Sequence, residues 1–404
     1  MVPKGWSESY LGEVVTYKKG YAFNSSLYAE EGIRIVRISD TTRDSIHSDN
    51  PVFIAGGNVE GLEQYSLFEN DIILSTVGSR PHLLDSMVGK AVKVPRSAHN
   101  SLLNQNLVKL IPKKTKITNE YLFSMLKTKE FIQFISNLVR GNANQVSITL
   151  ADLFKYKFIL PSLPEQKKIA QILSTWDKAI AATEKLIINS QQQKKILTHQ
   201  LLSRKKRLLN KSGVRFSDDW KQVKYADVVT TKTGNSKLIK GKLSDSPIVN
   251  GFPGYSASGQ DIWLYDYEHD CNAIIISAVG SRCGKCFQAK GKWSAIANTH
   301  IIFPNESLID VYFLYCHIND EQFWIRGGSG QPFVKVKDSL QAKVSLPSLE
   351  EQQKIATVLS AADAEISTLE KKLACLKDEK KALMQQLLTG KRRVKVDAEE
   401  AVSA

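Results

Sequence analysis

The sequence predicts an α+β protein: two pseudo-twofold-related globular mixed α/β domains, separated by two long antiparallel helices that pair as an intramolecular coiled coil. Three observations carry that reading. One stretch of helical sequence occurs twice, the segments preceding the two copies match each other piecewise, and both helical copies place apolar residues in a 3-4 rhythm.

The repeat comes first, because a missed repeat mis-assigns the whole fold. "LPSLPEQKKIAQILSTWD" from Leu160 returns as "LPSLEEQQKIATVLSAAD" from Leu346. Between 160–207 and 346–393 the offset holds at 186 without a gap, with 23 identities in 48 aligned positions. Earlier matches follow at shifting offsets. Trp6 aligns with Trp220 at 214, Ile72 with Ile274 at 202, Asn106 with Asn298 at 192, and Arg140 with Arg326 at 186. The second copy is therefore 214 − 186 = 28 residues shorter, all of it lost ahead of the helical block. The resulting division is 1–159 and 210–345 for the globular domains, 160–209 and 346–393 for the helical spacers, and 394–404 for a disordered acidic tail.

Within the globular parts, short β-branched runs such as "IRIVRIS", "DIILSTV", "KAVKV" and "NLVKLI" are punctuated by Gly, Pro, Asn and Asp, the pattern of strands. "TNEYLFSMLKTKEFIQFISNLV" carries apolar residues at helical spacing, and "IDVYFLYCHINDEQFWI" is its counterpart.

Each helical copy opens well. Pro164 has its φ preset and lacks the N–H that a first turn leaves unpaired, and Glu165 sits at the positive end of the dipole. Ser174 with Asp177, and Ser360 with Asp363, resemble a second cap, which predicts a two-turn helix, a bend, and a long helix to Leu202 or Leu388. The 28 residues from Thr175 to Leu202 would span roughly 40 Å, on the order of one turn of B-DNA at ~34 Å. The seam runs through Ile180, Ile187, Lys194 and Leu197 in the first copy and Ile366, Leu373, Lys380 and Leu383 in the second. Lys194 and Lys380 interrupt it at the same place, either fixing pairing geometry or snorkelling out at a frayed end. Pairing within one chain is favoured by tethering; a dimerisation coiled coil between chains is the alternative.

Bulk properties bound the function. Lys plus Arg is 55 and Asp plus Glu 41, so the formal charge is +14, which fits a nucleic-acid partner or a merely basic soluble protein. No secretory or transmembrane segment is expected, since the apolar runs, Ala273 to Val279 among them, are short. Five cysteines, none before Cys271, do not make a disulfide framework, and the expected compartment is a reducing cytoplasm.

On its two Leu-Pro-x-Leu-x-Glu-Gln-x-Lys-Ile-Ala helix starts, Leu160–Ala170 and Leu346–Ala356, each closed by Leu201-Leu202 or Leu387-Leu388 after a variable domain, the chain resembles the specificity subunit of type I restriction-modification enzymes. The resemblance covers nearly the whole chain. It implies two target recognition domains, each reading one half of a bipartite asymmetric site in double-stranded DNA. It also implies paired helices that fix the half-site gap and dock two methyltransferase subunits, with restriction/translocase subunits joining through the complex. No membrane, cofactor or chemistry of its own is implied. In agreement, the sequence has no Asn-Pro-Pro-Tyr or Asp-Pro-Pro-Tyr motif and no Gly-x-Gly-x-x-Gly, and "GSRCGKC" departs from a Walker A loop in glycine spacing and in having Cys for Ser or Thr.

Two repeated loops are the candidate DNA contacts. Val77-Gly78-Ser79-Arg80 matches Val279-Gly280-Ser281-Arg282, each placing an Arg just past an apolar strand, where a guanidinium suits a phosphate or the O6/N7 edge of guanine. Arg140-Gly141-Asn142-Ala143-Asn144-Gln145 matches Arg326-Gly327-Gly328-Ser329-Gly330-Gln331, where glycines permit close approach to phosphate and Gln suits adenine. The bland readings are a structural turn with an ion-paired Arg and a flexible connector. Lys18, Lys19, Lys90, Lys232, Lys237 and Lys285 are further basic candidates. Base-reading residues are expected where the halves differ, as in "YAFNSSLYAEEG" and "NSKLIKGKLSDSP".

Cys283-Gly-Lys-Cys286 lacks a second Cys pair and is discounted as a metal or redox motif. The basic clusters at 204–211 and 391–393 are expected to be solvated helix ends. Two competing functions stay open: a two-lobed scaffold for protein partners with a coiled-coil strut, and a nuclease with unrecognised motifs.

Overall fold

The computed structural model describes residues 2–42, 45–80, 87–139, 146–320, 322–328 and 330–396. The chain divides into two units, Met1–Thr183 with Lys372–Ala404, and Glu184–Lys371. Each unit therefore holds one globular domain, the start of one long helix and the end of the other.

In the first unit the β-branched runs form an antiparallel sheet in the order Val15–Lys19, Leu107–Pro112, Ile72–Ser75, Ala91–Lys93. Alternation splits its side chains: Ile72, Leu74, Val108 and Leu110 enter one core, and Ile73 and Leu107 another. Burial on both faces explains why Ile72–Leu74 reads as an unbroken apolar run. A second, mixed sheet contains one parallel pair, Ile33–Val36 with Ser101–Leu103. The segment expected as one helix is two, Asn119–Met125 and Lys129–Leu138, because Thr118 and Thr128 each accept a bond from the backbone N–H three residues on, at 3.2 Å.

The second unit repeats the plan. Its antiparallel sheet runs Val229–Thr233, Thr299–Pro304, Ala273–Ser277, Cys286–Ala289, and its second sheet again has one parallel pair, Phe252–Ser256 with Lys292–Ala295. One helix, Val311–Ile318, packs against the sheet. Cys283 and Cys286 lie inside this core, where burial pushes the Cys286 thiol up to about 12. All five cysteines are free thiols. No helix among the described residues is long and apolar enough to cross a membrane.

Gly20 and Gly234 occupy equivalent places just past the sheet's edge strand. A Cβ there would fall 1.9 Å from the Asn104 carbonyl oxygen and 2.0 Å from that of Ile296, so neither position admits a side chain.

The long helices are Leu163–Leu202 and Leu349–Leu388, 40 residues each and unbroken. The expected bend is absent, so each spans about 60 Å of axis rather than about 40 Å. The reason is that the acidic residues of the supposed internal caps are engaged elsewhere. Asp177 pairs with Lys380, and Asp363 with Lys194 at 2.5 Å. Each bond joins one helix to the other, and the two are reciprocal. At the helix starts, Ser162 Oγ donates to Glu165, and Ser348 Oγ accepts from the Glu351 N–H at 3.4 Å.

Packing within each unit makes the pairing antiparallel and intramolecular. In the first, Ile169 and Leu173 from the start of one helix share a core with Leu387 and Leu388 from the end of the other. In the second, Ile355 and Leu359 share a core with Leu201. Of the seam positions, Ile187 and Ile366 are buried, while Ile180, Lys194, Leu197, Leu373, Lys380 and Leu383 are half-buried.

The helix starts are tied to the domains by a repeated polar node. Glu165, with 8% of its side chain exposed, accepts from Trp6 Nε1 at 3.0 Å and from Arg393 Nε and Nη2 at 2.9 and 2.6 Å. Glu351, 2% exposed, accepts from Trp220 Nε1 at 3.2 Å and from Arg207 Nε and Nη2 at 2.6 and 2.8 Å. Each guanidinium also lies over the indole it shares the carboxylate with, at 5.4 and 5.8 Å. The basic clusters are thus not simply solvated ends, because Arg207 and Arg393 turn inward to buried carboxylates. The next residues repeat as well. Gln166 bonds the Thr118 N–H and the Lys116 and Pro161 carbonyls, and Gln352 bonds the Asp310 N–H and the Leu308 and Pro347 carbonyls. Of the expected tail, Val394 packs against the first unit's core, and 397–404 lie outside the described residues.

His317, in the second unit's core, shares a 3.3 Å hydrogen bond with the Tyr225 hydroxyl, and burial lowers it from 6.5 to about 4. The folded form thus binds this proton less readily than the unfolded chain. Stability is full above about 6.5 and falls as the pH drops toward 4, by up to about 3 kcal/mol. Denaturant titrations across that interval are expected to show a steep acid limb that flattens in His317→Phe; an equally steep limb in the variant contradicts the assignment.

Candidate nucleic-acid interface

The repeated loops lie far apart in sequence, yet in each unit the segment after the second pairs with the strand that leads into the first. In the first, the buried strand Ile72–Ser75 runs into Val77–Gly78, which pairs antiparallel with Val146–Ser147, Gly78 opposite Val146. The Ile148 N–H donates to the Thr76 carbonyl at 3.0 Å. The segment that follows the second candidate loop therefore returns alongside the first. The same junction recurs in the second unit: Val279 bridges Phe333, the Gly280 N–H donates to Pro332 O at 2.8 Å, and the Val334 N–H to Ala278 O at 2.9 Å.

Both junctions rest on an asparagine in the left-handed region. Asn106 has φ 67° and Asn298 φ 65°, and their carbonyls accept the Thr76 and Ala278 N–H groups at 2.8 and 2.9 Å. These two asparagines belong to the site's framework and were not singled out from the sequence. Their repetition in "NLVKLIP" and "NTHIIFP" was the available signal, since Asn tolerates positive φ better than other side chains.

In the second unit Ser281 and Arg282 are exposed, on a turn where Gly280 takes φ +87°. Arg326 is exposed on a hairpin, Arg326–Gly327 against Phe333–Val334, with Gln331 exposed near its turn. Gly328 sits at φ +89°, and a Cβ there would fall 2.4 Å from Gln331 O, so the turn needs glycine. Arg282 and Arg326 thus belong to one loop cluster. In the first unit Arg80 is exposed and Ser79 half-buried, with Ser79 O accepting from the Val88 N–H at 3.0 Å. Arg140, Asn142, Gln145 and Ser329 lie outside the described residues.

Of the lysine candidates, Lys285 follows the Arg282 turn, its N–H donating to Arg282 O at 3.0 Å. Lys18 and Lys232 are on the sheet's edge strands, outside the loop clusters. Lys18 is half-buried and Lys232 exposed. Burial, with the nearby Lys232 charge second, lowers His269. Lys90 is not a surface cation: 5% exposed, it donates to the Thr41 carbonyl at 2.5 Å inside the first unit. Its counterpart Lys285 is exposed, with its ammonium 5.7 Å from the Phe287 ring.

Arginines on glycine-bearing turns, beside rigid buried strands, form a surface that suits phosphate or a base edge. No group of three or more His, Cys, Asp or Glu side chains placed to hold a metal ion occurs among the described residues.

Comparison with known proteins gives this arrangement a family. The model of the type I restriction modification DNA specificity domain matches residues 3–192 and 217–377, one copy over each half. The type I restriction enzyme MjaVIII specificity subunit of Methanocaldococcus jannaschii is 27% identical over 424 residues, covering 98% of this chain and 94% of its own. The crystal structure of a type I restriction-modification system S subunit from M. genitalium superposes with TM-score 0.61 at 17% identity, covering 96% of both chains. A chain from a structural study of complex assembly and conformational transition in the type I R-M system gives 0.54 at 16%, covering 97% of this chain and all of its own. At these identities the structural likeness shows the fold.

Proposed function

The chain belongs to the family of type I restriction modification DNA specificity domains, and from that premise we propose that it is the non-catalytic subunit that reads the target sequence in a type I complex. Residues 1–159 and 210–345 are the two target recognition domains, and each reads one half of a bipartite, asymmetric site in double-stranded DNA. The helical spacers, 160–209 and 346–393, set the half-site separation and dock two methyltransferase subunits. Restriction/translocase subunits join through that assembly, in the cytoplasm where the DNA is.

One observation carries the reading: a family domain occurs twice in tandem, each copy repeating the same strand pairing beside its first candidate loop. What both copies share, Ser79 and Arg80 with Ser281 and Arg282, and the Arg140–Gln145 loop with Arg326–Gln331, positions phosphate. Base reading falls to the segments that differ. The +14 charge supplies non-specific attraction to duplex DNA.

Two measurements test this. Sequencing the modified genome of the source organism is expected to reveal one split motif with a fixed gap that disappears when this gene is deleted; an unchanged modification pattern contradicts the assignment and leaves the scaffold reading. Arg80→Ala combined with Arg282→Ala is expected to weaken duplex binding and to flatten its salt dependence by about 2, one contact per arginine. Binding unchanged across salt concentrations removes both residues from the interface.

A further inference from the structure

In the second unit a groove of about 380 Å³ runs between the edge strand Val229–Thr233 and the segment from Val334 to Asp338. Thr231 and Thr233 line one wall, with His300 opposite Thr233 in register. Lys335 and Lys337, both exposed, line the other wall beside a single carboxylate, Asp338. Strand alternation turns Lys232 to the opposite face, so the groove's cations are the two lysines on the far wall. Burial lowers His300 from its ordinary 6.5, which leaves a neutral imidazole at neutral pH. Lys335 is held in place: its N–H donates to Ile325 O at 2.8 Å, and its stem lies along the hairpin, where a Cβ on Gly327 would approach it to 3.1 Å.

The equivalent positions of the first unit carry different side chains. Thr231 corresponds to Tyr17, whose ring packs on Phe154 at 5.1 Å. His300, Lys335 and Lys337 correspond to Val108, Thr149 and Ala151, and Asp338 to Asp152, already bonded by Thr149 Oγ1 and Lys155 Nζ at 2.9 and 3.0 Å. Lys19, opposite Val108, and Lys155, bonded to Asp152, are cations there.

We infer that this groove is a phosphodiester-binding slot for duplex DNA, built on two lysines whose places in the first domain are taken by Thr149 and Ala151. Lys335 and Lys337 supply charge, and the Thr231 and Thr233 hydroxyls supply neutral donors. The two domains therefore grip the backbone by different devices. The inference rests on the DNA-reading function proposed above.

The test measures the affinity of the full chain for two mixed-sequence duplexes of unrelated sequence over a series of salt concentrations. Lys335→Ala with Lys337→Ala is expected to lower the slope of log affinity against log salt by about 2 on both duplexes, and Lys335→Arg with Lys337→Arg to restore it. An unchanged slope in the Ala variant, or a loss confined to one sequence, overturns the slot while leaving the proposed function standing. A wild-type chain with no salt-dependent duplex binding overturns both.

Discussion

A buried carboxylate at the head of each long helix gathers three stretches of chain that are distant in sequence. In the first unit these are the opening of the domain at Trp6, the start of one helix at Glu165 and the end of the other at Arg393. In the second they are Trp220, Glu351 and Arg207. Taking a carboxylate out of water costs several kcal/mol, and here a guanidinium, an indole N–H and the positive end of a helix dipole offset that cost together. The geometry has a consequence for the whole molecule. A carboxylate that needs an arginine from the far end of the other helix is satisfied when the helices run antiparallel, as they do within this chain. The glutamine beside it then pins the same helix start to the domain through three further bonds.

The reciprocal pairs Lys194–Asp363 and Lys380–Asp177 extend that constraint along the helices. Polar residues in an apolar seam cost stability but reject slipped registers, because a slip leaves each charge facing apolar neighbours. The two units are not equal in this respect. In the second, the Tyr312 hydroxyl donates to the same Asp363 that Lys194 holds, joining the domain's helix to the seam; the equivalent position in the first unit is Glu120. Arg207 is also less exposed than Arg393, 17% against 41%, so the second node is the drier. The duplicated plan is thus built asymmetrically.

Much of this plan was legible in the sequence because it rests on local rules. The offset of 186 marked the duplication, β-branched runs marked the strands, and the 3-4 rhythm marked the seam. The errors share one physical cause, that long-range partners were invisible. Ser174 and Asp177 look like a cap until Lys380 is known to claim the aspartate. Lys90 looks like a surface cation until the Thr41 carbonyl is found above it. Arg207 and Arg393 look like solvated helix ends until Glu351 and Glu165 are placed beside them. The pairing of Val146–Ser147 with Val77–Gly78 was likewise beyond local reading, since it joins strands about seventy residues apart. An exact repeat of Trp, Glu, Gln and Arg at matching positions was the one signal that could have pointed to the node.

The most direct test of that node is a double-mutant cycle on Glu351→Gln and Arg207→Met, read by denaturant unfolding of the full chain. Each single change strands a partner in a poorly hydrated site and is expected to cost about 3 kcal/mol, while the pair costs markedly less than the sum, with a coupling of about 2 kcal/mol or more. Additive losses, within about 0.5 kcal/mol, would show that the carboxylate does not tie the two helices to the domain.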